Sequence, residues 1–153
     1  MIICDDREPE NIRKDLDCVV RRLEIGNYIV GDLLIVRKIP SDFFDSLCDR
    51  HFWILIQDLM NIDDYISCIV IIGDVREELT KRNIQGGYDI LFNLFKIISG
   101  LSTISILQFG NQNYFEDFLK ICNDEKQGVS IDFLVRKTRC FLFSKSMDSL
   151  ISP

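Results

Sequence analysis

The chain has 153 residues, with 18 Lys and Arg against 24 Asp and Glu, a net charge of −6 and a hydrophobic fraction of 47%. That balance excludes a disordered polyelectrolyte. A pI near 4.8 excludes a chain that binds nucleic acid through a broad basic face, while leaving room for a local basic groove. The amino-terminal run Met1–Glu8 has neither the basic nor the apolar region of a signal peptide, and no apolar run reaches the roughly 20 residues of a membrane span. The expectation is an intracellular protein (cytoplasmic, or nuclear in a eukaryote) with no membrane contact.

Taken in order, Ile2-Ile3-Cys4 is a short apolar run that suits a strand ending at Asp5. Pro9 opens a mostly polar helix over 9–17. Three extended runs follow, Val19–Ile25, Tyr28–Val30 and Leu33–Lys38, separated by Gly26-Asn27 and Gly31-Asp32; they read as a β-meander. Ser41-Asp42 precedes a helix, and 51–60 carries Phe52, Ile56 and Leu59 at helical spacing. Ile69–Ile72 is the continuous aliphatic run of a strand covered on both faces. In 86–99, Ile90, Leu91, Leu94, Phe95 and Ile98 form a core-facing stripe. A strand over Thr103–Phe109 and a helix over Tyr114–Ile121 complete the order β-α-βββ-α-α-β-α-β-α. This pattern implies an α/β fold, a central sheet with helices on both faces. The expected division is a domain over 1–126 and a basic tail over 127–153 carrying Arg136, Lys137, Arg139 and Lys145.

The six cysteines, Cys4, Cys18, Cys48, Cys68, Cys122 and Cys140, are scattered and contain no C-x-x-C pair, beside a single histidine. Neither a zinc site nor a disulfide framework follows; small buried hydrophobes in a reducing compartment do.

Three segments carry groups of chemical interest: Asp5-Asp6-Arg7-Glu8, Gly26-Asn27-Tyr28, and Arg37-Lys38 with Asp42 beyond. Carboxylates and a lysine gathered at strand ends are what metal-dependent phosphodiester hydrolysis requires, because hard oxygens hold Mg²⁺ or Mn²⁺ and an ammonium steadies phosphate or the attacking water. Each segment alone is weak, since strand-end acids are commonly just solvated.

Together they resemble the XPF-type nuclease domain, the family of XPF and Hef, with its V-D-x-R-E start, G-D-Y turn and E-R-K-x-x-x-D block. Here the pattern stands as Cys4-Asp5-Asp6-Arg7-Glu8, Gly26-Asn27-Tyr28 and Val36-Arg37-Lys38-Ile39-Pro40-Ser41-Asp42, and Ser46–Arg50 is similar to the family's S-(I/L)-x-D-G-R segment. The resemblance runs from about residue 2 to residue 125. It implies a restriction-endonuclease-like, PD-(D/E)XK fold: a central mixed β-sheet flanked by α-helices.

Three departures stand out. The metal-binding aspartate of G-D-Y falls on Asn27, the glutamate of E-R-K on Val36, and the glutamate of a later I-x-E-G context on Ile72. Asn27 offers one neutral oxygen and Val36 none, while ligand charge sets affinity for a hard cation. Asp32, four residues before Val36 on an extended strand, lies roughly 13 Å away. Asp5 is then the clear remaining ligand candidate, and no metal is expected. Lys38, sharing a face with Val36, is expected to point into the cleft toward phosphate; Arg37 faces the other way as a brace, and Arg7 and Glu8 form a local pair. These residues, with Asp42, either retain DNA contact or are vestigial. His51 is expected to be a surface or half-buried residue and not a catalyst, since no Cys, Ser or metal cluster accompanies it.

The resemblance implies a catalytically degenerate accessory chain in DNA repair or processing, bound to branched or forked DNA or to an active nuclease or helicase partner. Phe92, Phe95, Tyr114, Phe115 and Phe118 offer either an interface or core. The alternatives are a weak structure-specific endonuclease using Mg²⁺ or Mn²⁺ and a homodimeric scaffold unrelated to DNA. The tail shows no helix-hairpin-helix motif.

Overall fold

The computed structural model describes residues 1–100 and 104–124. Its strands are β1 (Ile2–Asp5), β2 (Val19–Arg21), β3 (Tyr28–Val30), β4 (Leu33–Lys38), β5 (Ile66–Ile72) and β6 (Ile104–Phe109). Its helices are α1 (Glu10–Asp15), α2 (Pro40–Cys48), α3 (His51–Met60), α4 (Val75–Arg82), α5 (Gly87–Gly100) and α6 (Gln112–Asn123). The strands form one mixed sheet in the order β2-β1-β3-β4-β5-β6. The pairs β1·β2, β4·β5 and β5·β6 are parallel, whereas β1·β3 and β3·β4 are antiparallel. The expected mixed sheet flanked by helices is therefore the observed architecture.

Strand alternation sorts the core into two layers. Cys4, Tyr28, Val30, Leu33, Ile35, Cys68 and Val70 face α1 and α6, where Ile12, Phe115 and Leu119 meet them. Leu34, Val36, Ile69, Ile71 and Ile104 face α2 to α5, against Phe43, Phe52, Leu59, Leu79 and Leu94. Edge-to-face ring pairs lock both layers, Tyr28 with Phe115 and Phe43 with Phe52, each at 5.3 Å between centroids. Strand β5 is buried along nearly its whole length, as its aliphatic composition requires.

The expected meander is corrected. Strand β2 lies beside β1, parallel to it across α1, so β1 separates β2 from β3. Only Val19–Arg21 pairs, because the Leu23 amide donates to the Asp5 carboxylate at 2.7 Å instead of extending the ladder. Strands β3 and β4 form a true hairpin, turned at Gly31 with φ +55°. Helix α4 was not anticipated. Its V-R-E-E-L-T-K-R sequence has too little apolar periodicity, and Val75 and Leu79 alone are buried. What makes it a helix is local: the Asp74 side chain caps it through the Arg76 amide, and Glu78 pairs with Arg82 one turn on. Arg82 also reaches Asp45 at 2.9 Å and the Ser41 carbonyl at 3.0 Å, fastening α4 to α2.

Smaller expectations are also refined. On α5 the buried stripe is Leu91, Leu94 and Ile98, with Phe95 half-buried, while Ile90 is exposed, one step round the helix from Leu91. Phe115 is core, Phe92 and Phe118 are half-buried, and Tyr114 is exposed. Cys4, Cys68 and Cys122 are buried free thiols, as expected, but Cys18 is half-buried and Cys48 exposed. Burial pushes the Cys4 thiol up to about 12, which leaves it protonated and inert. Cys140, Thr103 and the expected tail over 127–153 lie outside the described residues. Among the described residues no helix is long and apolar enough to cross a membrane.

Among the described residues two buried side-chain atoms have no hydrogen-bond partner, Arg13 Nε and Ser67 Oγ. The Ser67 hydroxyl, on the α2–α5 side of β5, finds no hydrogen bond. An unsatisfied buried hydroxyl costs about 1–3 kcal/mol relative to its solvated state. Ser67→Ala is therefore expected to match or exceed the native stability, raising Tm by up to about 4 °C in a thermal melt, and a drop of several degrees would show a hidden partner.

Candidate functional site

The site is built at the carboxyl end of β1, where three segments converge. Asp5 is fully buried, and its carboxylate is saturated by donors from its own turn. Arg7 contributes its amide at 3.0 Å, Nε at 2.5 Å and Nη2 at 3.0 Å, and the Leu23 amide donates at 2.7 Å. Arg7 Nη2 also donates to the Leu23 carbonyl at 2.9 Å, closing the loop that leaves β2. The Arg7 hydrogen bonds, more than any other influence, hold the Asp5 carboxyl down at about 2.

Glu8 is the hub of the second group. It is buried, accepts from Asn27 Nδ2 at 2.8 Å and from the Tyr28 hydroxyl at 2.6 Å, and lies 3.6 Å from Arg37 Nη1. Burial first, and then the Glu8 carboxylate, drives the Tyr28 phenol upward, so it stays a neutral donor. Asn27 is used at every polar atom. Its Oδ1 accepts from the Arg37 amide at 2.8 Å, its amide donates to the Ile35 carbonyl at 2.7 Å, and its carbonyl accepts from the Asp5 amide at 2.8 Å. The preceding Gly26, at φ +87°, makes this approach possible, since a Cβ there would stand 2.8 Å from Leu34 Cδ1 and 3.2 Å from the Ile35 carbonyl. Arg37 continues outward, its Nε donating to Gln112 Oε1 at 3.2 Å at the start of α6.

The third group is looser. Val36 is buried among Phe43 and Phe52 in the α2–α5 layer. Lys38 lies at the end of β4, its amine lowered by burial and partly raised again by Asp42 and Asp49. Asp42 is exposed in the first turn of α2.

The structure thus brings Asp5 to Arg7, and Glu8 to Asn27 and Arg37, and it sets Lys38 near Asp42. The expected Arg7–Glu8 pair does not form. Arg7 is taken by Asp5, two residues back, while Glu8 turns to the opposite side, where Asn27 and Tyr28 meet it. Arg37 lies between Glu8 and Gln112 at the start of α6.

A cleft of about 440 Å³ opens over this group, bordered by Arg7, Glu8 and Asn27. Its other walls were not anticipated: Glu24, Ile25 and Gly26 from the chain between β2 and β3, and His51, Ile54, Leu55 and Asp58 from α3. The four α3 residues stand at i, i+3, i+4 and i+7, one helical face that the spacing alone reveals. His51 is exposed and pairs with Asp49 at 2.9 Å. Val36 and Lys38 do not line the cleft. Among the described residues no group of three or more His, Cys, Asp or Glu is placed to hold a metal ion.

A mixed sheet flanked by helices, with its polar cluster gathered at the ends of β1 and β4, defines a restriction-endonuclease-like domain. The model of the ERCC4 domain matches residues 4–121, and the chain belongs to that family, as the motif resemblance implied. Among solved structures it is similar to XPF from Aeropyrum pernix, with 21% identity and a TM-score of 0.61 over 85% of this chain and 64% of that one. It is also similar to XPF from Aeropyrum pernix in complex with DNA, with 20% identity and a TM-score of 0.59 over 85% of this chain and 68% of that one. The chain therefore spans about two thirds of the length of those chains. At such identities the likeness is one of fold. No curated protein matches.

The Asp5–Arg7 pair makes a pH-dependent prediction. Because the folded carboxyl sits at about 2, below its ordinary 3.8, its stabilisation is present above pH 4 and is lost as pH falls through about 2. Arg7→Ala is expected to lower the urea-unfolding midpoint at pH 6, by an amount limited by the half-exposed guanidinium. The difference from the native chain should shrink between pH 4 and pH 2, and a pH-independent difference would contradict this account.

Proposed function

We propose that this chain is a catalytically degenerate member of its family, an accessory subunit in DNA processing that works through an active nuclease or helicase partner and branched DNA. The observation that carries this reading is the full use of the acceptors at the site. A divalent cation needs several oxygen ligands with free lone pairs and net negative charge. Asp5 already accepts four hydrogen bonds, both Glu8 oxygens are engaged, Asn27 is neutral and committed at both ends, and Val36 is a hydrocarbon. The donor set does not fit Mg²⁺ or Mn²⁺, and no hydrolytic step is derived from it.

The partner side of the proposal rests on two late helices. Tyr88, Ile90 and Ile97 on α5, with Tyr114 and Ile121 on α6, are large apolar side chains left in solvent. The DNA side rests on the family, on the DNA-bound structural relative and on Lys38, whose amine no carboxylate approaches within ion-pair distance among the described residues.

The decisive experiment pairs cleavage with metal binding. The native chain is expected to leave fork and flap DNA intact in Mg²⁺ or Mn²⁺ and to give no stoichiometric heat with Mn²⁺ in calorimetry. Asn27→Asp with Val36→Glu removes the donor to Glu8 and adds two carboxylates. This variant is expected to melt at least 5 °C below the native chain and to regain part of that loss with millimolar Mn²⁺. Cleavage or tight Mn²⁺ binding by the native chain overturns the proposal.

A further inference from the structure

The cysteines on the α1–α6 side of the sheet differ in access. Cys68 and Cys122 are both buried, out of reach of a solute. Cys4 and Cys18 are placed otherwise. Cys4 is fully buried in β1, while Cys18 is half-buried and packs against the same core cluster. The parallel register sets Cys4 opposite Val20, and Cys18, two residues earlier, leans to the same face. The two thiols are hydrogen-bonded to each other.

Arg13 of α1 stands beside this pair. Its carbonyl accepts from Cys18 Sγ at 3.5 Å, and its positive charge is felt at Cys4. Its Nε is buried without an acceptor. Such a donor is costly in the reduced chain, and an oxygen carried on Cys18 is an acceptor of the kind it lacks. Burial raises the Cys4 thiol first, then its hydrogen bond with Cys18 and the Cys18 charge. The charge contribution vanishes once Cys18 carries a neutral sulfenic acid. Cys4, inert toward solvent, then faces an electrophilic sulfur in contact with its own.

We propose that Cys18 and Cys4 are a peroxide-oxidised thiol pair, with Cys18 the attacked sulfur and Cys4 the resolving one. The Cys18 sulfur attacks one peroxide oxygen, the O–O bond breaks, and one water leaves as Cys18 becomes a sulfenic acid. The Cys4 sulfur then attacks Cys18, the S–O bond breaks, and a second water carries off the remaining thiol proton. Two electrons pass from the sulfurs to hydrogen peroxide, and a disulfide closes the loop from residue 4 to residue 18. The movement needed to reach an S–S bond of about 2.05 Å falls on Cys18, which precedes the β2 ladder and follows Asp17 at φ +47°. The bridge pins β2, an edge strand whose three residues are all exposed, to its neighbour β1. The chain leaving β2 sets Leu23 on Asp5 and supplies Glu24 and Ile25 to the cleft, so oxidation stiffens that wall. This inference does not depend on whether the chain cleaves DNA.

The test uses the full chain, treated folded with hydrogen peroxide, alkylated, and digested with trypsin without reductant. Cutting after Arg7, Lys14 and Arg21 leaves Cys4 and Cys18 in separate peptides, 1–7 and 15–21. These peptides are expected to be joined, with the mass of a disulfide, and to be released by dithiothreitol. The bridged chain is expected to melt about 5 °C or more above the reduced chain. Cys4→Ala is expected to leave Cys18 as a sulfenic acid that dimedone traps, and Cys18→Ala to leave Cys4 reduced. Mapping of the native chain stands whether or not either variant folds. Peptides 1–7 and 15–21 that stay unlinked, or that join Cys48 or another cysteine instead, overturn the proposal. A link found only between isotopically distinct copies, or a bridged chain that melts below the reduced one, also overturns it.

Discussion

The Glu8 carboxylate sets the terms for everything around it. A buried carboxylate must be hydrogen-bonded or paired, since stranding its charge costs several kcal/mol. Asn27 supplies that requirement because an amide, unlike a carboxylate, presents a donor. Its Nδ2 meets Glu8 while its Oδ1 remains free to accept the Arg37 amide. Tyr28 adds a second donor and Arg37 a charge. Replacing the amide by an acid would put two carboxylates in contact, stable only with a cation or a shared proton between them. One atom's difference at residue 27 thus separates a cluster that is complete within the protein from one that needs a cation or an added proton.

This closed network also ties distant elements together. Arg37 reaches from Glu8 to Gln112, whose Nε2 donates to Glu116, so α6 is fastened to the end of β4. Asn27 joins β1 and β4 through its main chain, and Gly26 makes room for that contact. On the other side of the sheet Val36 packs with Phe43 and Phe52, where an acid would demand solvation that this layer does not provide. The amide at residue 27 and the hydrocarbon at residue 36 are each matched to their surroundings. Each residue therefore fits the layer in which it sits.

Much of the fold was legible because its strands obey simple patterning. The unbroken aliphatic run before Gly73 marks β5, and Tyr28–Val30 with Leu33–Lys38 marks the hairpin. What escaped was set by single polar interactions. Periodicity cannot see that the Leu23 amide prefers the Asp5 carboxylate to a strand partner, and that preference ends β2 at Arg21. Nor does a hydrophobic pattern find α4, which stands on an Asp74 cap and on Arg82 ion pairs to Glu78 and Asp45. At the site, the motif spacing located Asp5, Glu8, Asn27 and Arg37. The choice of Asp5 over Glu8 as the partner of Arg7 required the turn geometry itself.

The cleft walls show why net charge was a poor guide. Acids count equally in a sum of −6, yet their consequences differ with burial. Asp5 and Glu8 are neutralised in place, so they add little field to the cleft, while Glu24 and Asp58 are exposed and uncompensated among the described residues. Their field falls off over about 8–10 Å at physiological salt, which is comparable to the width of a cleft of this volume. Lys38, at the end of β4 and outside the cleft lining, feels the charges of Asp42 and Asp49 at longer range. The local sign at the cleft is therefore fixed by α3 and the chain before β3, not by the motif residues, and motif likeness alone carries no information about which ligands that surface attracts.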